Sequence, residues 1–597
     1  MIATSAISGT FDNRYSPSAI SVAAINLSTE FFAPGTTTSP DNGPERRTTI
    51  WDSVAPSASG TDPAWGDSRP GTGDEEGDMG NQYACDYCRH VRTPTSRVVR
   101  VWSAEAASGA YLARDTLLAE TPADPAHIDD TAVQCEFVQR EGPFTEYRRT
   151  VERHGDEIRD VTTFRMVVPW FGWLFRWPVR ATLRNHHVGN GTQPRWAPPD
   201  RLNAHQVKIL GLLAAVSMSS AFVNTLFTQT VNFAADDFGI SEQGQSFAGV
   251  IVRFGIVLAL PFTILADRVG RRRMINLLAW LAPTLASVGA LAPNFWALTA
   301  SQTVARPLGI ALDLLIAVAA AEEMPRNSRA YAVSVLAMAS GLGAGVAVMT
   351  LPLADIGPSA WRLVYVVSLV WLIAALDVSR RLTETPRFEH VIEIHGVGHT
   401  HIDRHRLAII TSVAFMANLF VAPASYFQNR YLDDVRGYSG SGIALFTIAT
   451  ATPASIGFVL GGRVADTTGR RRLLALSLPI ATALLVASFT TGGWPMWVVA
   501  FGGGLVGGMA YPAFSVYRTE LFPTARRAQA GGLIAAMALI GGSIGLLLAG
   551  ELLDRGWSYG AVMATLAIAQ VFAALIVFTT YPETAHRSLE ELNPEDA

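Results

Sequence analysis

The sequence predicts an all-α polytopic membrane protein with twelve transmembrane helices in two six-helix pseudo-repeats, preceded by a disordered N-terminus and a small cytoplasmic α+β region. Three observations predict it. From about residue 206 the chain is a ladder of apolar runs, each long enough to cross ~30 Å of hydrocarbon with about 20 residues. Arginines gather on alternate connections between those runs, and short charged motifs of the first half return in the second at a fixed spacing. Composition agrees: 49% of the 597 residues are hydrophobic and 16% charged, against about a quarter charged in a soluble domain. A net charge of −4 provides no bulk basic field for a nucleic-acid partner. Three cysteines cannot build a disulfide framework.

Residues 1–80 are rich in Ser, Thr, Pro, Gly and Asp and end in the acidic patch Asp74, Glu75, Glu76 and Asp78. Their apolar residues keep no period, so disorder is expected. The first residues lack the basic start and apolar run of a secretory signal, and a true start near Met79 is the alternative reading. Residues 81–200 read as a small cytoplasmic region. Around Cys135, from Phe144 and from Ile158 the chain alternates with period two, and His154-Gly155-Asp156-Glu157 reads as the turn of a β-hairpin. The next stretch sets Trp170, Phe171, Trp173, Phe175 and Trp177 beside Arg176 and Arg180. It is too short to span, and its composition suits either a membrane-interface segment or the core of the small region. Cys85-x-x-Cys88-x-His90 has no second ligand pair at finger spacing, and the central-loop histidines His390, His395, His399, His401 and His405, whose spacing could bind zinc or sense pH, lie without cysteines in a linker between bundles, so no metal or cofactor is expected.

The twelve spans are read near 207–231, 244–266, 274–293, 296–321, 330–353, 360–378, 406–427, 441–465, 473–490, 494–517, 528–549 and 558–580. Only helices or closed barrels satisfy their backbone in lipid, and these runs are too long for barrel strands. The organisation is therefore 201–378 as the N-terminal bundle, 379–405 as a His-rich central loop, 406–581 as the C-terminal bundle and 582–597 as a tail. One set of loops carries seventeen arginines and the other four. The arginine-rich side is expected to be cytoplasmic, with both termini on it, in the cell membrane.

Asp267-x-x-Gly270-Arg271-Arg272 recurs 199 residues later as Asp466-x-x-Gly469-Arg470-Arg471. Glu322-x-x-Pro325-x-x-x-Arg329 recurs 198 residues later as Glu520-x-x-Pro523-x-x-x-Arg527. Thr383-Glu384-Thr385, followed by Arg387, recurs as Pro582-Glu583-Thr584. Two halves inserted with the same orientation follow from the common offset. Carboxylates beside arginines at helix ends make charge-assisted bonds that fasten helix to helix, and those between halves act as a gate.

At these residues the chain resembles the major facilitator superfamily, and in Glu384-Thr385-Pro386-Arg387 and Pro582-Glu583-Thr584 its sugar-porter branch. The resemblance covers 206–591 and implies two bundles rocking about a substrate site near the bilayer midplane. The sequence departs from the pattern three times, once in the final motif, where Thr584-Ala585-His586 stands in place of the Lys-Gly pair usual in sugar porters. Thr263 stands where a glycine is usual and where Gly462 keeps it, and the first predicted span holds no carboxylate.

Ionisable groups inside spans are costly and mark candidate function. They are Arg253 in the second span and Arg306 and Asp313 in the fourth, with Arg306 read as a substrate or anion ligand and Asp313 as the proton-coupling carboxylate. A static network is the alternative. Asn224 and Gln229 in the first half, and Asn418, Ser425, Gln428, Thr450, Thr452, Tyr511 and Tyr517 in the second, offer neutral polar lining. The expected protein is a monomeric, non-enzymatic secondary transporter of a small polar organic solute, coupled to protons, whose partners are its solute and the bilayer. A phosphate loop of the Gly-x-x-x-x-Gly-Lys-Ser/Thr type is absent from the sequence, so ATP-driven transport is not expected. A multidrug or metabolite exporter, and a transporter-fold sensor or lipid-handling protein, remain the rival readings.

Overall fold

The computed structural model describes residues 95–103, 112–123, 134–184, 193–194, 196–240, 242–387, 401–438 and 440–594. The stretch 1–80, Cys85, Cys88 and His90, and His390, His395 and His399 lie outside the described residues.

Five strands come first: β1 (Ser96–Ser103), β2 (Ala119–Pro122), β3 (Gln134–Glu141), β4 (Phe144–His154) and β5 (Glu157–Met166). They form one antiparallel sheet in the order β1-β5-β4-β3-β2. The β4–β5 hairpin turns where the alternation predicts, with His154 paired to Glu157 and Gly155 at φ 61°. Alternation sends Phe144, Tyr147 and Val151 of β4, with Ile158 and Phe164 of β5, into the buried face. Helix α1 (Gly172–Arg184) follows and lays Val179 and Leu183 on that core, with Phe175 packed beside them. Phe175 joins the core, whereas Trp170, Trp173 and Trp177 are exposed.

The buried face also holds charge. Arg149 donates to Glu120 (2.8 Å) and Asp160 (3.2 Å), Arg114 donates to Asp160 (2.9 Å), and the Tyr147 hydroxyl donates to Glu120 (2.5 Å). Each charge is matched inside the network, the condition under which buried ions are tolerated. Burial, and then the Glu120 carboxylate, hold the Tyr147 phenol far above its ordinary pKa.

Among the described residues, twelve helices are long and apolar enough to span: α2 (Ala204–Phe238), α3 (Phe247–Val269), α4 (Arg271–Leu291), α5 (Phe295–Glu323), α6 (Arg329–Ala354), α7 (Trp361–Arg381), α8 (Arg404–Gln428), α9 (Leu445–Thr468), α10 (Arg470–Ser488), α11 (Gly493–Glu520), α12 (Thr524–Asp554) and α13 (Tyr559–Thr580). The protein is a multi-pass membrane protein built of two six-helix halves, α2–α7 and α8–α13. The first helix outruns its expected end near residue 231. It stops at Gly239, a left-handed C-cap (φ 63°), after Asp237 has taken the Trp361 indole N–H and Arg362, each at 3.0 Å. Hydropathy marks where lipid ends, but the cap decides where the helix ends. At its other end, Asn203 and Gln206 form a capping box. In the second span a short 3-10 turn, Gly255–Leu258, interrupts the helix, and Gly255 is pressed so closely on the Thr303 carbonyl that a Cβ there would lie 2.6 Å from it.

Candidate functional site

The repeated motifs meet at the arginine-rich end of the bundle, in two clusters related by the internal repeat. Gly270 (φ 112°) and Gly469 (φ 116°) reverse the chain between α3 and α4 and between α9 and α10, in backbone conformations that side-chain-bearing residues rarely adopt. That turn brings the preceding aspartate and the following arginine together: Asp267 lies 3.2 Å from Arg271, and Asp466 lies 2.8 Å from Arg470.

Each aspartate then reaches across to the other half. Asp267 accepts from the backbone N–H groups of Ala528 (3.2 Å) and Gln529 (2.8 Å) at the start of α12. Asp466 accepts from Ala330 (3.2 Å) and Tyr331 (2.9 Å) at the start of α6. These N–H groups have no partner within their own helix, and the helix dipole favours an anion there. Arg271 donates to the Thr524 carbonyl of the second half, and Arg470 donates to the Arg326 carbonyl of the first.

The glutamates complete the crossing. Glu322 of α5 accepts from its own half's Arg271 (3.2 Å) and from Arg527 of the other half (2.6 Å). Glu520 of α11 accepts from its own half's Arg470 and from Arg329 of the other half (3.0 Å). All four arginines are fully buried, and the carboxylates are nearly so. Thr385 adds a hydroxyl donor to Glu322 (2.7 Å), and Thr584 faces Arg470 (3.1 Å). The sequence did carry the signal for these two threonines, since each follows the repeated glutamate at the common offset.

Glu384 and Glu583, expected with the motifs at the cytoplasmic gate, make their contacts within their own halves. Glu384 accepts from the backbone N–H of Arg271 (3.0 Å) and Arg272 (3.1 Å), capping α4 of its own half. Glu583 does the same for Arg470 (2.9 Å) and Arg471 (3.2 Å) at α10. The Arg272 side chain is exposed, and the Arg471 guanidinium turns to the Phe578 carbonyl. Arg387 lies 3.6 Å from Glu590 of the tail helix α14 (Leu589–Leu592).

In the membrane, the structure groups the candidates in two places. Arg253 and Arg306 are like charges in electrostatic reach of each other on adjoining helices, where Gly255 packs against α5. Among the described residues no carboxylate pairs with either, and Arg306 Nε is buried without a partner. About two turns further along α5, Asp313 lies against Ser220 of α2. Ser220 donates to the Gly309 carbonyl (2.7 Å), and Asn224 packs on Gly309 with its amide oxygen buried and unpartnered. Ser220 is the partner that sequence reading missed, because one serine among many in an apolar helix gives no signal. Gln229 is half-buried on the same helix. Asn418 and Tyr511 make local contacts instead: Asn418 donates to the Ala414 carbonyl (3.1 Å), and the Tyr511 ring lies 5.3 Å from Phe458. Tyr517 packs among protein atoms. It is fully buried, donates to the Pro582 carbonyl (2.9 Å) and anchors the tail.

Residues 212–449 and 407–596 match a family model described as Major Facilitator Superfamily. The chain is similar to a "Putative metabolite transport protein" of Haemophilus influenzae, 26% identical over 356 residues that cover 56% of this chain and 85% of that protein. Its fold is similar to the proton:xylose symporter XylE, with a TM-score of 0.57 and 17% identity over 66% of this chain and 99% of that one. It is also similar to FucP, a transporter of the same superfamily, with a TM-score of 0.52 and 16% identity over 62% of this chain and 98% of that one. At these identities the structural likeness speaks for the fold alone.

Proposed function

Since the chain belongs to the Major Facilitator Superfamily, we propose that it is a monomeric secondary active transporter that moves a small polar organic solute, a sugar or an organic-acid-like metabolite, across the cell membrane by alternating access. The arginine-rich face is cytoplasmic in this reading, and transport is coupled to protons. The observation that carries it is the crossed gate: Glu322 with Arg527 and Glu520 with Arg329 tie the two halves together at one end only among the contacts described above. Pairs of this kind hold that face shut and must part for it to open, which is what a rocking two-bundle machine requires.

Asp313 is the coupling carboxylate. It is an ionisable group within a span, set beside a hydroxyl and one helix away from the amide of Asn224. Arg253 and Arg306 hold a polar or anionic part of the solute, and Asn224, Gln229, Asn418 and Tyr511 supply further polar contacts along the path. The test is proton movement by the full-length protein in liposomes against sugars, organic acids and amphiphilic drugs, wild type beside Asp313→Asn. Solute-dependent proton flux that is lost in the variant is the expected result. Flux that survives the substitution removes Asp313 from coupling, and folded protein that moves no solute overturns the transporter reading.

A further inference from the structure

We propose that α1 is a lipid-binding surface for an anionic leaflet on the arginine-rich side. Trp173, Leu174 and Trp177 are 75%, 47% and 66% exposed, at the spacing that puts them on one face of α1, and Trp170, 46% exposed, lies in the turn just before the helix. The opposite face is the one buried on the sheet. The exposed stripe continues from Trp173 and Trp177 to Arg180 and Arg184, and the helix contains no acidic residue.

Position fixes what this face meets. Pro169 is pressed on Gly211, whose Cβ would lie 2.6 Å from it, and the Trp170 indole N–H donates to Asp377 of α7 (3.1 Å). Gly211 stands seven residues into α2, about 10 Å along its axis. The aromatic end of α1 is therefore pinned at the depth where spans leave the hydrocarbon, and its arginines reach along the level of lipid phosphates. Tryptophan at that level with arginine beyond it is the chemistry of an interface, and the positive stripe selects anionic headgroups.

The test uses the full chain with its three cysteines replaced by serine and a single fluorescent label at W177C or, as control, at R153C on β4, in nanodiscs of phosphatidylcholine with or without phosphatidylglycerol. The expected result is quenching of the 177 label by lipids that carry a quencher in the acyl chain, stronger with phosphatidylglycerol, and quenching of the 153 label by aqueous iodide. Iodide quenching at 177 equal to that at 153 overturns the proposal. Shielding from both quenchers overturns it in favour of a protein partner or a second copy. R180A/R184A should abolish the phosphatidylglycerol dependence, and persistence of that dependence removes the arginines from it.

A separate set of contacts carries a second proposal: the described residues 193–194 and 196–203 form a strap that restrains opening of the arginine-rich face. Arg463 of α9, in the second half, donates to the carbonyls of Gln193 (3.4 Å), Pro194 (2.9 Å) and Ala197. From the first half, Tyr331 donates to the Trp196 carbonyl (2.9 Å), and Asn327 donates to Asp200 through its backbone (3.1 Å) and side chain (3.0 Å). Gln193 and Arg201 tie the same strap to Thr116 beside the sheet (2.8 and 3.0 Å). The halves cannot separate at this face without breaking one of these sets, so the state of the sheet region bears on the gate.

The test is alkylation of S334C from the arginine-rich side, at a buried site pressed against Gly462 of the other half. R463M, which removes the donors and keeps the stem, should raise the rate about tenfold or more, the equivalent of one charged hydrogen bond. D200A and Y331F cut the strap from the other half and should each raise it too. An unchanged rate in all three overturns the strap.

Discussion

Glu520→Gln offers the sharpest examination of the crossed gate, because it keeps the volume of the side chain and removes its charge. In the closed state Arg329 and Glu520 are both fully buried at 3.0 Å, and Arg470 shares the same carboxylate. Arg470 keeps Asp466 at 2.8 Å in the variant. Arg329 is left with the Arg587 carbonyl at 3.3 Å and the glutamine oxygen. Removing one partner of a buried pair costs about 3–5 kcal/mol, and the acceptor retained by glutamine argues for the lower end. When the halves part, water reaches Arg329, so the closed state bears the cost and the open state does not. A bias of about 3 kcal/mol moves the equilibrium roughly a hundredfold towards opening at this face. Spin labels at R273C and R472C, exposed residues of the two halves, report it as a longer distance by pulsed electron resonance. In the double variant E520Q/R329M the shift should be smaller than the sum of the single ones, since neither charge is left unmatched. A distance distribution in E520Q identical to wild type would refute the reasoning.

Three further outcomes follow from the same structure. A Cβ on Gly532 would lie 2.7 Å from Thr263 Oγ1, so G532S should weaken closure of α3 on α12, and T263G/G532S should restore it by copying the Gly462–Ser334 contact of the second half; the R273C/R472C distance reads both. Arg149→Met leaves Glu120 and Asp160 with one arginine fewer in a buried network and should destabilise the sheet by about 3 kcal/mol, seen as faster amide exchange in β3–β5 of the full chain. Burial pushes the Glu590 carboxyl up, but backbone N–H bonding and Arg387 more than offset this and hold it below the usual range. Its folded-state pKa is therefore below the unfolded one, so its share of tail docking is present above the ordinary glutamate pKa and is lost as pH falls through the depressed value. Protease cleavage of the tail should rise on acidification in wild type and lose that dependence in E590Q.

The fold was legible because lipid forces each span to satisfy its backbone alone, so length and apolarity in one stretch of sequence suffice to find it. The same holds for the β4–β5 hairpin, where alternation and one turn are local facts. The charged motifs were legible for another reason: Gly270 and Gly469 turn the chain so sharply that Asp and Arg four positions apart in the motif must meet. The sequence could not show which contacts cross between the halves. Glu384 and Glu583 sit in motifs as regular as those of Glu322 and Glu520, yet they cap helices of their own half while the other two bridge.

The missing glycine makes the distinction plain. By itself the sequence determined twelve spans, two equivalent halves and repeated charged motifs at one end, because each follows from local composition or from comparing the chain with itself. Only the tertiary structure decided that Thr263 needs no glycine at its own position, since Gly532 supplies the space from the facing helix, as Gly462 does for Ser334 in the mirror contact. Room between two packed helices is a property of the pair. Either side can provide it, and a partner more than 250 residues away leaves no trace in the local pattern.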